Sequence, residues 1–307
     1  MWFKAVRLYQ LGGEARFDFD SIEKALDSAR FKKEGVAQKL TSGWVSPLPS
    51  GGRSEDELPI VYRQGDRMML CLRRDEKLLP AAVINAEVET RIEEIELKQD
   101  RKVYRKEKLQ IKDDVIADLL PRAFIKSRRV YAYLCRQRNI LVVNATSAAL
   151  AEELISAVRD ALGSFPVKLI QTEVSPTSVM TSWLTGDKPY GAFTLDDECE
   201  LVNPMEDSNV VRCKSQDLLS EEITVHLQAG KQARKLALIW NDAVRMIVSA
   251  DLTLSRLRFE DEVLERAADG SPDDEAAVFD QDFAVMALEL DALIQQLLAA
   301  FGGQSES

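Results

Sequence analysis

The chain of 307 residues carries 40 Lys or Arg against 51 Asp or Glu, a formal net charge of −11, with 46% hydrophobic and 30% charged residues. This is the composition of a soluble globular protein with enough length for a large core in two or three domains. No stretch approaches the roughly 18 apolar residues of a membrane span, and the opening MWFKAVRLYQL is charged too early for a signal peptide, so a cytoplasmic protein is expected. Cys71, Cys135, Cys199 and Cys213 lie far apart with no CxxC pair, and His226 is the only histidine. Reduced, mostly buried thiols are expected, with no metal and no cofactor.

Alternation from Trp2 to Leu11 predicts a strand ended by Gly12 and Gly13. Asp20 followed by Glu23 resembles a capping box for a helix with Ile22, Ala25, Leu26 and Ala29 on one face, closed by Lys32, Lys33 and Gly35. Gly43 to Gly52 reads as a turn-rich loop, and Ile60 to Tyr62 with Met68 to Arg73 as a hairpin. From Pro80, the spacing of Ile84, Val88, Ile92 and Ile95 predicts a long helix; a second helical run with Ile111, Val115 and Leu119 must stop before Pro121. Val130 to Leu134 and Ile140 to Asn144 predict another hairpin, followed by a helix from Ser147 to Leu162 that ends at Gly163.

Val167 to Ile170 reads as a strand, Ser175-Pro176 as a helix start, and Ser220-Glu221-Glu222 as the start of a short helix closing at Gly230. Ala233 to Trp240, Val244 to Ser249 and Ser255 to Phe259 suggest a three-stranded meander; Phe279 to Leu297 is the cleanest amphipathic helix, with a frayed tail behind it. Strands and helices mix without a βαβ rhythm, so the expected class is α+β, a mixed multi-domain chain with antiparallel sheets and a long basic helical segment. The expected divisions are 1–78, 79–126, 127–190 and 191–307.

Between Lys98 and Arg138 thirteen Lys or Arg face five Asp or Glu, whereas from Asp251 onward fourteen acidic residues face three arginines. A basic island thus stands apart from an acidic C-terminal segment, and screening over about 8 Å keeps such fields local. Lys98, Arg101, Arg105, Lys108 and Lys112, thickened by Lys102 and Lys106, would form one stripe about 21 Å long on a helix. The stripe suits nucleic-acid phosphates, or equally a solvated helix face with partners such as Asp100 and Glu107. In LLPRAFIK, Phe124 lies among Arg122, Lys126, Arg128 and Arg129. It can stack on a base, plug a partner subunit, or be core. Lys214, Lys231, Arg234 and Lys235 form a second basic set.

Nucleotide-binding, metalloprotease and hydrolase motifs are missing. Glu260-Asp261-Glu262 and Asp113-Asp114 are the remaining Mg²⁺ candidates for a nuclease, although adjacent carboxylates more often cap a helix. A protein-interaction scaffold without DNA binding is the third alternative. His226 has no nucleophile beside it.

Trp2-Phe3-Lys4, Gly43-Trp44-Val45, LLPRAF at 119–124, Gln216-Asp217-Leu218, SEEIT at 220–224, Ala229-Gly230-Lys231 and KLAL at 235–238 together resemble the RdgC family of recombination-associated DNA-binding proteins over essentially the whole length. The resemblance implies a non-enzymatic, ring-shaped homodimer that encircles mainly double-stranded DNA without sequence preference. It further implies association with the nucleoid, restraint of the RecA recombinase, and a link to replication fork repair. It assigns DNA contacts to Arg101, Arg122 and Lys231, and ring closure to Phe124 and Gln216. Ser215 departs from the basic residue that relatives can carry there, with Lys214 beside it.

Overall fold

A computed structural model describes residues 1–12, 18–32, 38–268 and 274–305. In chain order the first half forms β1 (Arg7–Leu11), α1 (Phe19–Ser28), β2 (Leu40–Val45), β3 (Tyr62–Gln64), β4 (Arg67–Leu78), α2 (Ala81–Gln99), α3 (Arg105–Leu119), β5 (Phe124–Cys135), β6 (Ile140–Val143), α4 (Ala148–Leu162) and β7 (Val167–Leu169). Its strands make one antiparallel sheet in the order β2-β4-β5-β6-β1-β7, with β3 on the same edge of β4 as β2. The sheet is buried on both faces. On one side α1 and α4 cover Leu70, Leu72, Ala132 and Leu141; on the other Met69, Tyr133 and Val142 meet the C-terminal half of the chain. Double burial is why Met68 to Leu72 is an unbroken apolar run rather than an alternating one.

The second half forms α5 (Pro176–Leu184), β8 (Phe193–Asn203), β9 (Glu206–Cys213), α6 (Glu221–Gln228), β10 (Gln232–Trp240), β11 (Val244–Ser249), β12 (Leu254–Phe259), α7 (Asp261–Ala268) and α8 (Glu275–Ala300). Its five strands are ordered β12-β11-β10-β8-β9. Helix α8 ties the two sheets together. Asp291, 2% exposed, accepts from Arg67 Nε at 2.9 Å and Nη2 at 2.5 Å, and from the Tyr133 hydroxyl at 2.9 Å, all on the first sheet. One turn on, Gln296 accepts from Trp240 Nε1 of β10 at 3.1 Å. Burial and then the Asp291 carboxylate hold the Tyr133 phenol well above its ordinary pKa, so it stays a donor.

The architecture is α+β with antiparallel sheets, as the patterning indicates, and several local expectations change. The first strand is shorter, because Val6 leaves the first sheet to exchange two backbone bonds with Leu254 of the second, at 2.8 and 3.0 Å. Asp18 caps α1 through Asp20 N and Ser21 N, replacing the Asp20–Glu23 box; the helix stops at Ser28, and Lys33 and Gly35 lie outside the described residues. Gly43 to Val45 is strand, not loop. A Cβ at Gly43 would lie 2.5 Å from the Phe31 Cα, so the glycine serves a close backbone approach rather than a turn. Two strands went unforeseen, β8 and β9, both rich in acidic residues that do not alternate with apolar ones. The expected frayed tail is pinned through Ser305, whose N–H donates to Gln171 O at 2.9 Å, with Gln304 bridging Thr172.

Removing the Asp291 carboxylate leaves the largely buried Arg67 with Asp66 alone, 3.3 Å away. Asp291→Ala is expected to lower unfolding free energy by about 3–5 kcal/mol and Tyr133→Phe by about 1 kcal/mol, both read from urea midpoints at constant slope. A wild-type midpoint in Asp291→Ala would show that the buried pair does not hold the layers together.

Candidate nucleic-acid interface

β4 and β5 pair over their full 12-residue lengths, from Arg67↔Cys135 out to Leu78↔Phe124. β6 takes part only as far as Ala132, and β2 only as far as Glu76. The ends of β4 and β5 therefore project, and they carry α2 and α3 beyond them as a helical arm. The arm has its own small core, in which Val103, Ile111 and Val115 are buried against Ile84, Val88, Ile92, Ile95 and Leu119. Arg91 clamps the two helices, reaching Asp118 at 2.8 Å and Glu87 at 3.3 Å.

The predicted stripe from Lys98 to Lys112 does not lie on one helix. Asp100 adopts φ 47°, the left-handed C-cap of α2, and α3 starts only at Arg105. Lys98 belongs to α2, where it pairs with Glu94 at 3.4 Å; Arg101 sits in the turn, its guanidinium on both Glu107 oxygens at 2.6 and 2.7 Å and on Gln99 at 2.7 Å. The Arg101 pair holds the Glu107 carboxyl below its ordinary pKa. Lys102, in the same turn, and Arg105, Lys108 and Lys112, at i, i+3 and i+7 on α3, are exposed and have no acidic partner within 4 Å among the described residues. The stripe is thus split across a hairpin tip, which also presents Leu97 and Tyr104 to solvent.

At the root of the arm Pro121 sits in a 3₁₀ turn from Leu120 to Arg122, and Phe124 then opens β5 instead of a loop. Strand alternation puts Phe124, Lys126 and Arg128 on one face and Ile125 and Arg129 on the other. Phe124 is 84% exposed and stands opposite half-exposed Leu78; Ile125 beside it is also exposed. It is not core. Lys126 and Arg128 line a recess of about 110 Å³ with Arg74 and Glu76. Arg74 is held there by Glu153 of α4 at 2.6 Å. Arg129 is committed elsewhere, paired with Glu55, which also takes Arg73 at 3.2 Å.

The second basic set is largely internal pairing. Glu200 on β8 is buried and accepts from Arg212 at 2.6 Å and Arg234 at 2.7 Å, with Lys235 at 3.5 Å. Burial opposes its ionisation, but the three cations win and hold its carboxyl down to about 2. Arg234 and Lys235 are therefore tied to a carboxylate, a pairing visible only in the β8-β10 register. Lys231 donates to Asn209 at its carbonyl, 3.1 Å away, and at its side-chain oxygen. Lys214 is exposed with no ion pair among the described residues, and Ser215, φ 52°, turns the chain so that Gln216 donates to Glu222. Neither predicted set is brought into contact with the other within one chain by any hydrogen bond or ion pair among the described residues.

Of the nuclease candidates, Glu260 is paired with Arg245 at 2.7 Å, Asp261 and Glu262 occupy the first turn of α7, and Asp113 and Asp114 are exposed on α3. Among the described residues no three His, Cys, Asp or Glu side chains converge as metal ligands.

The α+β chain thus projects a helical arm with unpaired cations at its tip and an exposed phenylalanine at its root. The family model described as "Putative exonuclease, RdgC" matches residues 1–304. Curated relatives, each named recombination-associated protein RdgC, are 39% identical in Psychromonas ingrahamii (99% of both chains), 38% in Pseudomonas putida GB-1 and 37% in Pseudomonas aeruginosa PAO1, the last two covering 99% of this chain and 98% of theirs. The chain belongs to the RdgC family.

Because Glu200 is depressed in the folded state from its ordinary 4.5 to about 2, its contribution is full above pH 4.5 and is lost as pH falls through that window. Denaturant midpoints of wild type and Glu200→Gln should therefore converge between pH 4.5 and 2, the wild type being the more stable at pH 7. Parallel curves over that range would place Glu200 outside the ion cluster.

Proposed function

We propose that this chain is a non-enzymatic, DNA-binding member of its family: a ring-shaped homodimer that encircles duplex DNA without reading its sequence and thereby restrains the RecA recombinase during recombination. The observation that carries this reading is the arm and its root, where Lys102, Arg105, Lys108, Lys112, Arg122, Lys126 and Arg128 are exposed without acidic partners within 4 Å, while Arg212, Arg234 and Lys235 of the second sheet share Glu200. Free Lys and Arg release condensed counterions from phosphates; paired ones release fewer because a carboxylate must first be displaced. Phe124 at the root of the arm closes the ring against a second copy, a role that its 84% exposure supports, with Gln216 contributing at the same kind of contact. Arg101 reaches phosphate only by trading Glu107, and Lys231 by trading Asn209. The protein acts in the cytoplasm, on the nucleoid. A nuclease is the second reading, favoured by the wording of the family description.

Fluorescence anisotropy with two unrelated duplexes across a salt series tests the proposal. With about four phosphate contacts per subunit, the dimer should show a log–log salt slope near −7 and equal affinities for both sequences. Lys126→Glu with Arg128→Glu should weaken binding at least about tenfold and flatten the slope. Absence of binding at low salt would remove the DNA reading, and Mg²⁺-dependent cleavage of labelled DNA lost in Asp113→Asn would establish the nuclease instead. Phe124→Ala should weaken self-association by about 2 kcal/mol or more in sedimentation; an unchanged dimer would sink its role in closure.

A further inference from the structure

Two of the four cysteines are neighbours. Cys199 of β8 and Cys213 of β9 are direct register partners in the antiparallel pair, so their side chains leave the sheet on the same face. Opposed residues in such a pair have Cα atoms about 4.5–5.5 Å apart, inside the range of about 4.4–6.8 Å that a disulfide spans. Cys71 and Cys135 lack this arrangement: they stand opposite Tyr131 on β5 and Ile140 on β6.

We propose that Cys199 and Cys213 form a dithiol–disulfide site, oxidised by low-molecular-weight disulfides, that staples β9 to the sheet. The inference is independent of DNA binding. Cys213 is half-buried at the end of its strand and takes the role of attacking thiol. Cys199 is buried, and burial, followed by the adjoining Cys213 thiol, pushes its pKa up to about 12, which suits the resolving thiol better than the attacking one. The Cys213 thiolate attacks one sulfur of oxidised glutathione, breaks its S–S bond and releases one glutathione. Cys199 then loses its proton and attacks the Cys213 sulfur of the mixed disulfide, releasing the second glutathione. Two protein thiols become one disulfide as one oxidised glutathione becomes two thiols.

The consequence is local. β9 is an edge strand whose ladder runs to β8 alone, and most of its described side chains are exposed. Beyond the ladder it is held by Arg212 on Glu200 and by Lys231 on Asn209, with Val211 packed on the core, so an edge position still leaves it the more readily opened strand of the pair. A covalent bond at Cys199–Cys213 closes the hairpin at the end from which Lys214, Ser215 and Gln216 leave the sheet.

The test treats the full-length protein with oxidised glutathione, followed by non-reducing digestion and mass spectrometry. The expected product is a peptide pair joined through Cys199 and Cys213, two hydrogens lighter than the separate thiols, restored by dithiothreitol and absent from Cys213→Ala. Hydrogen exchange of the 206–213 amides should slow at least about tenfold on oxidation in the wild type and stay unchanged in Cys213→Ala, a substitution at a half-buried position chosen to leave the fold intact. Full recovery of four free thiols after oxidant, a stable mixed disulfide on Cys213, or linkage through Cys71 or Cys135 would each overturn the proposal.

Discussion

A carboxylate on the buried face of a helix needs partners that arrive from outside the helix, and Asp291 finds them in Arg67 and Tyr133 across the layer boundary. Around it Phe283, Met286, Leu290 and Ile294 fill the space between the two sheets. Apolar packing of that kind is nondirectional and would tolerate α8 slid or rotated. The Arg67–Asp291–Tyr133 set does not, because a shifted carboxylate would be buried beside an unmatched guanidinium. The same helix, by length and composition long and apolar enough to cross a membrane, is here the central core helix. Its Asp280 and Asp282 accept from Tyr62 and from the N-terminal ammonium and Trp2, so β3 and the N-terminus are both registered on it.

Those contacts change the meaning of the acidic C-terminal segment. Asp280, Asp282 and Asp291 are structural acceptors, Glu289 takes Arg266 at 2.6 Å, and Glu260 takes Arg245. Much of the segment's negative charge is thus already spoken for by side chains of the chain itself, rather than spread over an outer surface that repels polyanions. The sheets handle cations the same way, gathering Arg212, Arg234 and Lys235 about Glu200. What distinguishes the arm is placement rather than excess: residues 81–119 hold more acidic than basic side chains, yet Lys102, Arg105, Lys108 and Lys112 face solvent without a carboxylate within 4 Å among the described residues.

The arm also differs energetically. Its core is three buried residues with a fringe of half-buried ones, far smaller than the cores on the two faces of the first sheet. Its outer faces are mostly polar, with Leu97, Tyr104 and Leu109 exposed among the charges, so its stability rests on that seam, on the Arg91 clamp, and on the β4-β5 ribbon at its root. Elements with few buried contacts open at lower free energy than the body they are attached to.

Local chemistry made much of this visible without coordinates. Ser147 and Gly163 bracket α4 because a capping hydroxyl and a left-handed glycine act over four residues. Asn241 and Asp242, at φ 52° and 51°, supply the tight turn between β10 and β11 for the same reason. The basic character of residues 98–129, and the resemblance carried by LLPRAF and its companions, were equally legible, since charge and motif order are properties of the chain. The fate of individual charges was not. Arg234 and Lys235 look like Arg128 and Lys126 until β10 is laid beside β8 and Glu200 is found between them. The stripe from Lys98 to Lys112 is continuous only until Asp100 turns the chain. Strand β8 hides because Asp196, Glu198 and Glu200 are balanced across the sheet, by Arg245, Arg256 and Arg212, rather than along it. Sequence periodicity reports which residues share an element; which opposite charges, thiols or aromatic rings meet is set by register between elements distant in the chain, and only the packed tertiary structure decides it.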